Sequence, residues 1–320
     1  TASVGGALQD KSGGAVAGAT VTLRNSGTGV SVEQVSEREG NFEFFTVKPG
    51  TYIVTAQKEG FSLALVDNIG VQVGARQRVN LTMNVGAVTE RVEVKAAAQL
   101  LETDSSQRGQ VVSGDQMRQL ALNGREYSAL ALLTPGVRQS ALNKSTNGTP
   151  REGAFNVNGL RSVFNNFLID GVDNNAYGTS NQGFSNQVMQ PAPDAVDEFR
   201  VVTNNQSAEY GRAAGATVNV AYRSGTNQLH GSGWEFYRDT KLNAETYFKP
   251  VDGSKPPLKR NQFGGVLGGP IAKNRAFFFA DYEGFRQNRK VTTFSTLPSA
   301  AQKAGVLTVA VRDPRTGTVY

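Results

Sequence analysis

Residues 261–287 read NQFGGVLGGPIAKNRAFFFADYEGFRQ, and this stretch decides which fold the chain adopts. Two runs of small and β-forming residues flank a short polar link at residues 272–274, and three consecutive phenylalanines open the second run. This pattern is typical of a β-hairpin. No apolar run in the chain approaches the roughly 20 residues that a membrane helix needs. Any membrane spanning is therefore expected from strands.

The second run alternates between two kinds of side chain. Phe278 and Tyr282 fall on one face of the strand, and Asp281 and Glu283 fall on the other. Strands of a membrane barrel alternate in this way between lipid and a polar lumen. Phe279 shares the side of the carboxylates, which predicts contact with a domain inside the barrel or a place in an interfacial girdle. Further aromatics accompany a third strand-like run, GSGWEFYRD at residues 231–239.

The first 86 residues follow the pattern of an antiparallel β-sandwich, in which short alternating runs are separated by turn residues at intervals of roughly ten. The runs are residues 19–25, 30–35, 41–47, 51–58 and 78–85. The alternation predicts one core containing Val21, Leu23, Phe42, Phe44, Tyr52, Val54, Val79 and Leu81. We expect a self-contained sandwich over residues 1–86.

The phrases GGAVAGATVTLRNSGTG and EREGNFEFFTVKPGTYIVTAQKEGF in this region resemble the carboxypeptidase-regulatory-like domain, a small immunoglobulin-like sandwich. A zinc peptidase needs at least two or three His or Glu ligands, and His230 is the only histidine. Ser224 lies near His230 in sequence, but no nucleophile elbow and no orienting acid accompany the two residues. We therefore expect no catalysis, no metal site and no cofactor.

Residues 87–113 are polar and Ala-rich, with one short β-prone run, and are expected to form a linker. Six residues open the stretch TERVEVKA: Thr89, Glu90, Arg91, Val92, Glu93 and Val94. The stretch resembles the box by which TonB-dependent outer-membrane receptors engage TonB, an extended segment that adds a strand to the partner's sheet. Two interpretations stay open: a TonB contact, or the last strand of the sandwich.

Residues 114–228 are expected to form a mixed α+β domain. Ser113 precedes a short predicted helix, and a second helix is predicted to end at Pro135-Gly136. Five stretches then resemble the plug domain of TonB-dependent receptors in order and spacing: NGLR (158–161, an Arg-bearing strand), LIDGV (168–172), VDEFRV (196–201), EYG (209–211) and GATVNV (215–220). The resemblance marks Arg161, Asp170, Gly171, Asp197, Arg200, Glu209, Tyr210 and Gly211 as the motif residues. Residues 203–205, Thr-Asn-Asn, depart from the usual Gly-Pro of that family.

The carboxylates after residue 169 also admit a calcium interpretation. Asp170 and Asp173 stand in DGVDNN, but the stretch lacks the Gly and the distal Glu of a twelve-residue calcium loop. A turn at Asp170-Gly171 is therefore expected. A nucleic-acid partner is not expected either, because the formal charge of +6 comes from cations scattered among Asp and Glu.

The string QFGGVLGGPIAKNRAFFFADYEGFR, residues 262–286, closely resembles the first strands after the plug in the Oar-like branch of TonB-dependent receptors. Residues 229–320 are therefore expected to form the start of the barrel. The predicted fold class is therefore mainly β, with an immunoglobulin-like sandwich, an α+β plug and the first strands of a transmembrane β-barrel. Plugged transporters use about 22 strands of about 9 to 11 residues, and the residues after His230 suffice for only a few. We expect an incomplete barrel and hence part of a larger receptor.

The resemblance implies energy-coupled uptake of an unidentified extracellular ligand. The implied partners are TonB with its inner-membrane complex, that ligand and the lipid of the outer membrane. The implied location is the outer membrane, with sandwich and linker in the periplasm. The alternative is a secreted or cell-surface adhesion or binding protein with an immunoglobulin-like domain.

Overall fold

The computed structural model describes residues 2–86, 91–95 (backbone alone), 104–140, 154–178, 186–211, 214–245, 255–290, 296–306 and 309–319. The protein is mainly β. It divides into two compact units, Thr1–Trp234 with Gly264–Glu283, and Glu235–Phe263 with Gly284–Tyr320. Within the described residues, no helix is long and apolar enough to cross a membrane.

The first nine strands build a sandwich of two sheets. Their bounds are β1 Ala2–Asp10, β2 Thr20–Asn25, β3 Ser31–Val35, β4 Asn41–Val47, β5 Gly50–Gln57, β6 Leu63–Val71, β7 Arg76–Arg78, β8 Leu81–Met83 and β9 Arg91–Lys95. One sheet has the order β3-β2-β5-β6-β9, and the other has the order β4-β1-β7 with β8 also paired to β1. All eight core residues predicted from the alternation are buried, and Phe42 meets Phe44 edge to face.

Two strands of the sandwich, β1 and β6, were not predicted. Strand β1 contains Gly5 and Gly6, and because glycines weaken a strand pattern, the sequence does not predict a strand here. Gly6 is required there because a Cβ atom at this position would lie 1.8 Å from the carbonyl oxygen of Val79. The glycine thus permits a close approach of two backbones that local propensity does not reveal.

The next domain is centred on a second five-stranded sheet. Its strands are β10 Arg108–Ser113, β13 Asn166–Ile169, β14 Val172–Asp173, β15 Val196–Asn204 and β16 Thr217–Tyr222, in the order β10-β15-β16-β13-β14. A separate pair consists of β11 Val137–Gln139 and β12 Phe155–Val157. The core beneath the sheet contains Tyr127, Phe167 and Phe199, all fully buried.

The first predicted helix is confirmed as α1, Gly114–Gln119, with a capping box at its start. The Ser113 hydroxyl accepts the backbone N–H of Gln116 at 3.3 Å, and the Gln116 side chain accepts the backbone N–H of Ser113 at 3.1 Å. The second predicted helix is wrong in type, since Tyr127–Leu133 is a 3₁₀ helix. So short a segment before Pro135 gains little from α-helical propagation, and the tighter helix still buries Tyr127 and Leu130.

Three long strands complete the fold: β17 His230–Asp239, β18 Leu258–Ala272 and β19 Ala276–Arg289. They pair in the order β17-β18-β19, which confirms the three runs and the hairpin predicted from residues 261–287. A 3₁₀ turn, Thr240–Leu242, follows β17, and a short helix, α2 Ala300–Lys303, lies near the end of the chain. Most positions of β17 and β19 are exposed or half-exposed.

Candidate functional site

The candidate TonB-contact segment lies partly in strand β9. Arg91, Val92, Glu93 and Val94 belong to this strand, while Thr89 and Glu90 lie outside the described residues. β9 runs parallel to β6, with Val92 opposite Ala64 and Val94 opposite Val66. β9 is the last strand in the order of its sheet. The segment is therefore already extended, with one backbone edge paired and the other at the boundary of the sheet.

The next described strand along the chain after β9 lies at the edge of the plug sheet. Strand β10 is the outermost strand there and pairs only with β15, from Gly109 opposite Val202 to Ser113 opposite Glu198. Before β10, Asp104 forms an ion pair with Arg78 of the sandwich, with 3.4 Å between Asp104 Oδ1 and Arg78 Nη1. The described residues just before β10 are thus linked to the sandwich by an ion pair.

The sandwich touches the plug through the turn between β6 and β7, residues 72–75, which we call the docking turn. The N–H of Ala75 donates to the carbonyl of Gln72 at 3.1 Å, and Gly74 adopts a φ of 66°. A Cβ atom on Gly74 would lie 3.6 Å from Arg200 and 3.8 Å from the Tyr210 hydroxyl. The apex of the docking turn therefore lies directly against two predicted motif residues.

Glu198 receives the docking turn on the plug side. The backbone N–H of Val73 donates a hydrogen bond to its carboxylate, and the Val73 side chain is 1% exposed. The pKa of Glu198 is raised to about 7, chiefly by burial and to a smaller extent by Asp197, while the Val73 N–H and Arg200 oppose the shift. At neutral pH this carboxyl is therefore divided between its protonated and ionised forms.

The EYG turn lies beside the same contact. Glu209 pairs with Arg76 of the sandwich at 3.7 Å, between side chains that are both about half exposed. Burial, followed by a hydrogen bond to Glu209, raises the pKa of Tyr210 to about 12. A cleft of about 650 Å³ opens here, and Gly171, Glu209, Tyr210 and Gly211 line it. Four motif residues thus meet at one cleft between plug and sandwich.

The other motif residues have separate places. Asp170 and Gly171 form the two-residue turn between β13 and β14, with φ values of 49° and 85°. Such a turn with two positive φ angles closes a tight hairpin, so the turn predicted in place of a calcium loop is confirmed. Asp197 is exposed on β15. The strand predicted at Arg161 is wrong, because Asn158 and Gly159 turn there with φ values of 49° and 82°.

Sequence reasoning missed a second cluster, centred on Arg125. Its guanidinium pairs with Asp194, lies 3.5 Å from Glu283 of β19 and stacks 5.1 Å from the Trp234 ring centre. The Arg125 side chain is only 9% exposed. Phe279 packs nearby against Ala192, Ala195 and Val266. The carboxylate side of β19 therefore faces the plug, as the alternation of this strand predicts.

No metal-binding group of three or more acidic, His or Cys side chains occurs among the described residues. Ser224 is exposed, and the Nδ1 atom of His230 lies 3.0 Å from the Gln228 carbonyl at the start of β17.

Sequence profiles of three families match the chain in order. They are the carboxypeptidase regulatory-like domain over residues 3–84, the TonB-dependent receptor plug domain over residues 101–218, and the outer membrane beta barrel domain over residues 221–320. The three matches fall on the sandwich, the second domain and the three long strands.

Two curated proteins are also similar to this chain in sequence. The chain is 25% identical over 263 residues to the TonB-dependent transporter Oar of Myxococcus xanthus, which covers 78% of this chain and 23% of that protein. It is 23% identical over 252 residues to the ferrienterobactin receptor of Escherichia coli K12, covering 77% and 33%. The chain thus spans a third or less of the length of these relatives.

Among solved structures, the siderophore receptor PirA from Acinetobacter baumannii aligns with 55% of this chain and 24% of its own, at 19% identity and a TM-score of 0.40. The named relatives are transporters and receptors, not enzymes. With its carboxypeptidase regulatory-like sandwich, its plug and the first strands of a barrel in succession, the chain has the domain order of a fragment of a TonB-dependent outer-membrane receptor and resembles the Oar-like branch.

Proposed function

We propose that this protein takes up an unidentified extracellular ligand across the outer membrane with energy delivered through TonB. The observation that carries the proposal is the chain order. A box-like segment forms the edge strand β9, and the next described strand along the chain, β10, is the edge strand of a plug that contacts barrel strand β19. Force applied to the box would reach the plug along the backbone.

Strand β10 is well placed to yield to such a force. It is held to the sheet on one side only, by antiparallel pairing to β15. Each backbone hydrogen bond contributes a net 0.5–1.5 kcal/mol, roughly, so a pull from the Arg108 end opens the pairs successively instead of all at once. Gly109 fits closely here, since a Cβ atom would lie 2.3 Å from the Val201 carbonyl oxygen. We infer that β10 leaves the plug sheet first.

The docking turn would restrain this motion. The backbone N–H of Val73 in this turn donates a hydrogen bond to the Glu198 carboxylate. Glu198 in turn lies opposite Ser113, the last residue of β10. The Arg76–Glu209 pair adds a weak, solvent-exposed contact to the same side of the plug. The sandwich therefore holds β15 while β10 is pulled, which would confine the movement to the edge of the sheet.

The remaining assignments follow from this mechanism. We assign residues 1–86 to the sandwich, 87–113 to the linker, 114–228 to the plug and 229–320 to the start of the barrel. Within the linker range, strand β9 adds to the sandwich sheet and strand β10 adds to the plug sheet. Sandwich and linker would lie in the periplasm, where TonB reaches Thr89 to Val94, and barrel strands would contact outer-membrane lipid. Neither catalysis nor nucleic-acid binding is part of the proposal.

Extraction from membranes tests this function against the alternative of a secreted or surface adhesion protein. The chain is expressed with an export signal, and membranes are washed with high salt and then with detergent. A barrel portion keeps the protein in the membrane until detergent is added, because its apolar strands replace lipid contacts with water on release. Release by salt alone would contradict the proposal and favour the adhesion protein, which the comparisons do not favour.

A further inference from the structure

A groove of about 720 Å³ lies between the sandwich strands β3 and β4 and the strand β19. Its sandwich wall includes Val30, Val32 and Phe45, and its opposite wall includes residues 277–279, the three phenylalanines. The volume falls within the range of roughly 300–1,000 Å³ that small-molecule sites occupy. The groove is separate from the docking turn and from strand β9.

The sandwich wall exposes an apolar side chain, Val32, that lies on the inner face of its sheet. Val32 pairs with Leu23, a core residue that is 3% exposed, so both side chains point to the same face of the sheet. Val32 is nevertheless 55% exposed. Phe45 is 68% exposed because it follows the buried Phe44 and lies on the other face of β4. An inward-facing valine normally lies under the opposite sheet. Here β3 is the edge strand, and its inner face opens into the groove.

The charges around the groove have one sign. Lys48, Arg223 and Arg275 line it, and none of the described lining residues is Asp or Glu. Arg223 also donates to the Asp194 carbonyl at 3.3 Å and lies 5.9 Å from the ring centre of Phe279. Lys48 and Arg275 are exposed side chains. A largely apolar groove whose charged lining residues are all cations is complementary to a molecule with an aliphatic body and an anionic head.

We propose that this groove binds a single-chain aliphatic carboxylate, such as a long-chain fatty acid. The acyl chain lies along Val30, Val32 and Phe45 against the phenylalanines, and the carboxylate faces Lys48 and Arg275. A two-chain phospholipid is the less suitable occupant, because its second acyl chain would have to fit into the same volume of about 720 Å³. This site is independent of TonB coupling and goes beyond the proposed uptake function.

Photo-labelling tests the site in the full 320-residue chain, held in a neutral maltoside detergent. Hexadecanoate with a diazirine near the chain end is compared with the hexadecanol of identical chain and label, and adducts are mapped by mass spectrometry. We expect the carboxylate to label residues 30–45 or 277–279 at least ten-fold more strongly than the alcohol. Equal labelling by the two probes would overturn the anionic preference and with it the proposal.

Two matched pairs of variants locate the site. Val32→Asp places a charge inside the groove and is expected to abolish labelling. Val35→Asp is the control, since Val35 is 64% exposed on the same strand but does not line the groove. Arg275→Glu is expected to reduce labelling by the carboxylate at least five-fold, whereas Lys273→Glu, in the same hairpin turn, leaves it unchanged.

Three further outcomes would overturn the proposal. The first is full labelling of Val32→Asp, and the second is equal loss in Val35→Asp. The third is a phosphatidylglycerol carrying the same diazirine chain that labels the groove as strongly as the free acid, which would assign the groove to membrane phospholipid instead. Thermal melting of each variant shows that the chain remains folded.

Discussion

The sandwich and the three-stranded sheet both consist of strands with alternating apolar and polar residues, but they differ in how far their apolar residues are buried. In the sandwich, Phe42 and Phe44 point into a shared core and are 4% and 3% exposed. In the sheet, Tyr282 and Phe285 are 65% and 54% exposed, and Val266 is the only buried hydrophobic residue among the described residues of its three strands. The sandwich is stabilised by its own core, and the sheet is suited to stabilisation by lipid and by neighbouring strands.

The difference teaches that alternation alone does not distinguish a sandwich from a membrane barrel. Strand length does: β18 and β19 have 15 and 14 residues, whereas the strands of the sandwich have at most 9. Long strands with a weakly covered outer face are typical of barrels. The comparison leads to tests that separate the two regions.

The largest expected effect is on solubility. The whole chain should aggregate or require detergent, because the long strands expose aromatic side chains and unpaired strand edges to water. A chain that ends at Asn227 should be soluble and monomeric. Sedimentation velocity without detergent measures both. If the whole chain remained monomeric without detergent, the claim that the three long strands need lipid or neighbouring strands would be contradicted.

The next effect concerns the core of the sandwich. Phe44→Ala should reduce the free energy of unfolding by about 3–5 kcal/mol, the cost of removing a buried aromatic ring. Phe45→Ala is the matched control at the adjacent position. Because its ring is 68% exposed, it should cost less than about 0.5 kcal/mol. Urea unfolding of the chain ending at Asn227 measures both, and equal costs would show that the predicted core is wrong.

The smallest effect concerns the contact between the sandwich and the plug. The pKa of Glu198 is about 7 in the folded protein, against 4.5 for an ordinary Glu carboxyl. Because the folded pKa is raised, the contribution of this group to stability is fully present below about pH 4.5 and is lost as the pH rises through about 7. The loss should be on the order of 1–2 kcal/mol, since water partly screens the site.

The amide proton of Val73 reports this titration directly by NMR. Its chemical shift should change with a midpoint near pH 7. Glu198→Gln keeps an acceptor oxygen and should remove the change, while Glu43→Gln, an exposed site on β4, should leave it intact. A midpoint near 4.5 in the unmodified protein would mean that the docking turn does not bury Glu198.

The sequence was sufficient to predict those features of the fold that depend on local sequence patterns. The sandwich core, the Asp170-Gly171 turn and the pairing of residues 261–287 all follow from alternation, turn chemistry or short connections. Each is predicted from a pattern of a few consecutive residues, even where the residues that pack together, such as Val21 and Leu81, lie far apart in the chain.

The contacts between domains could not be predicted in this way. Val73 and Glu198 are 125 residues apart, and neither residue marks the other by its type or spacing. Arg125 likewise combines Asp194, Trp234 and Glu283, which come from three different segments. Nothing local distinguishes Arg125 from a solvated cation at a turn. Such contacts are fixed by how folded domains dock, and only the structure reveals them.

Binding of a TonB C-terminal domain to the chain in detergent tests the central proposal most directly. If the domain adds a strand to the box through backbone hydrogen bonds, Val92→Pro should abolish binding because it removes an N–H donor. Val92→Ala, which keeps the N–H, should bind almost as well as the unmodified chain. Glu93→Pro shows which edge is used, because successive N–H groups in a strand point in opposite directions. Binding that survives Val92→Pro, Val94→Pro and Glu93→Pro alike would contradict the account and leave β9 as a strand of the sandwich alone.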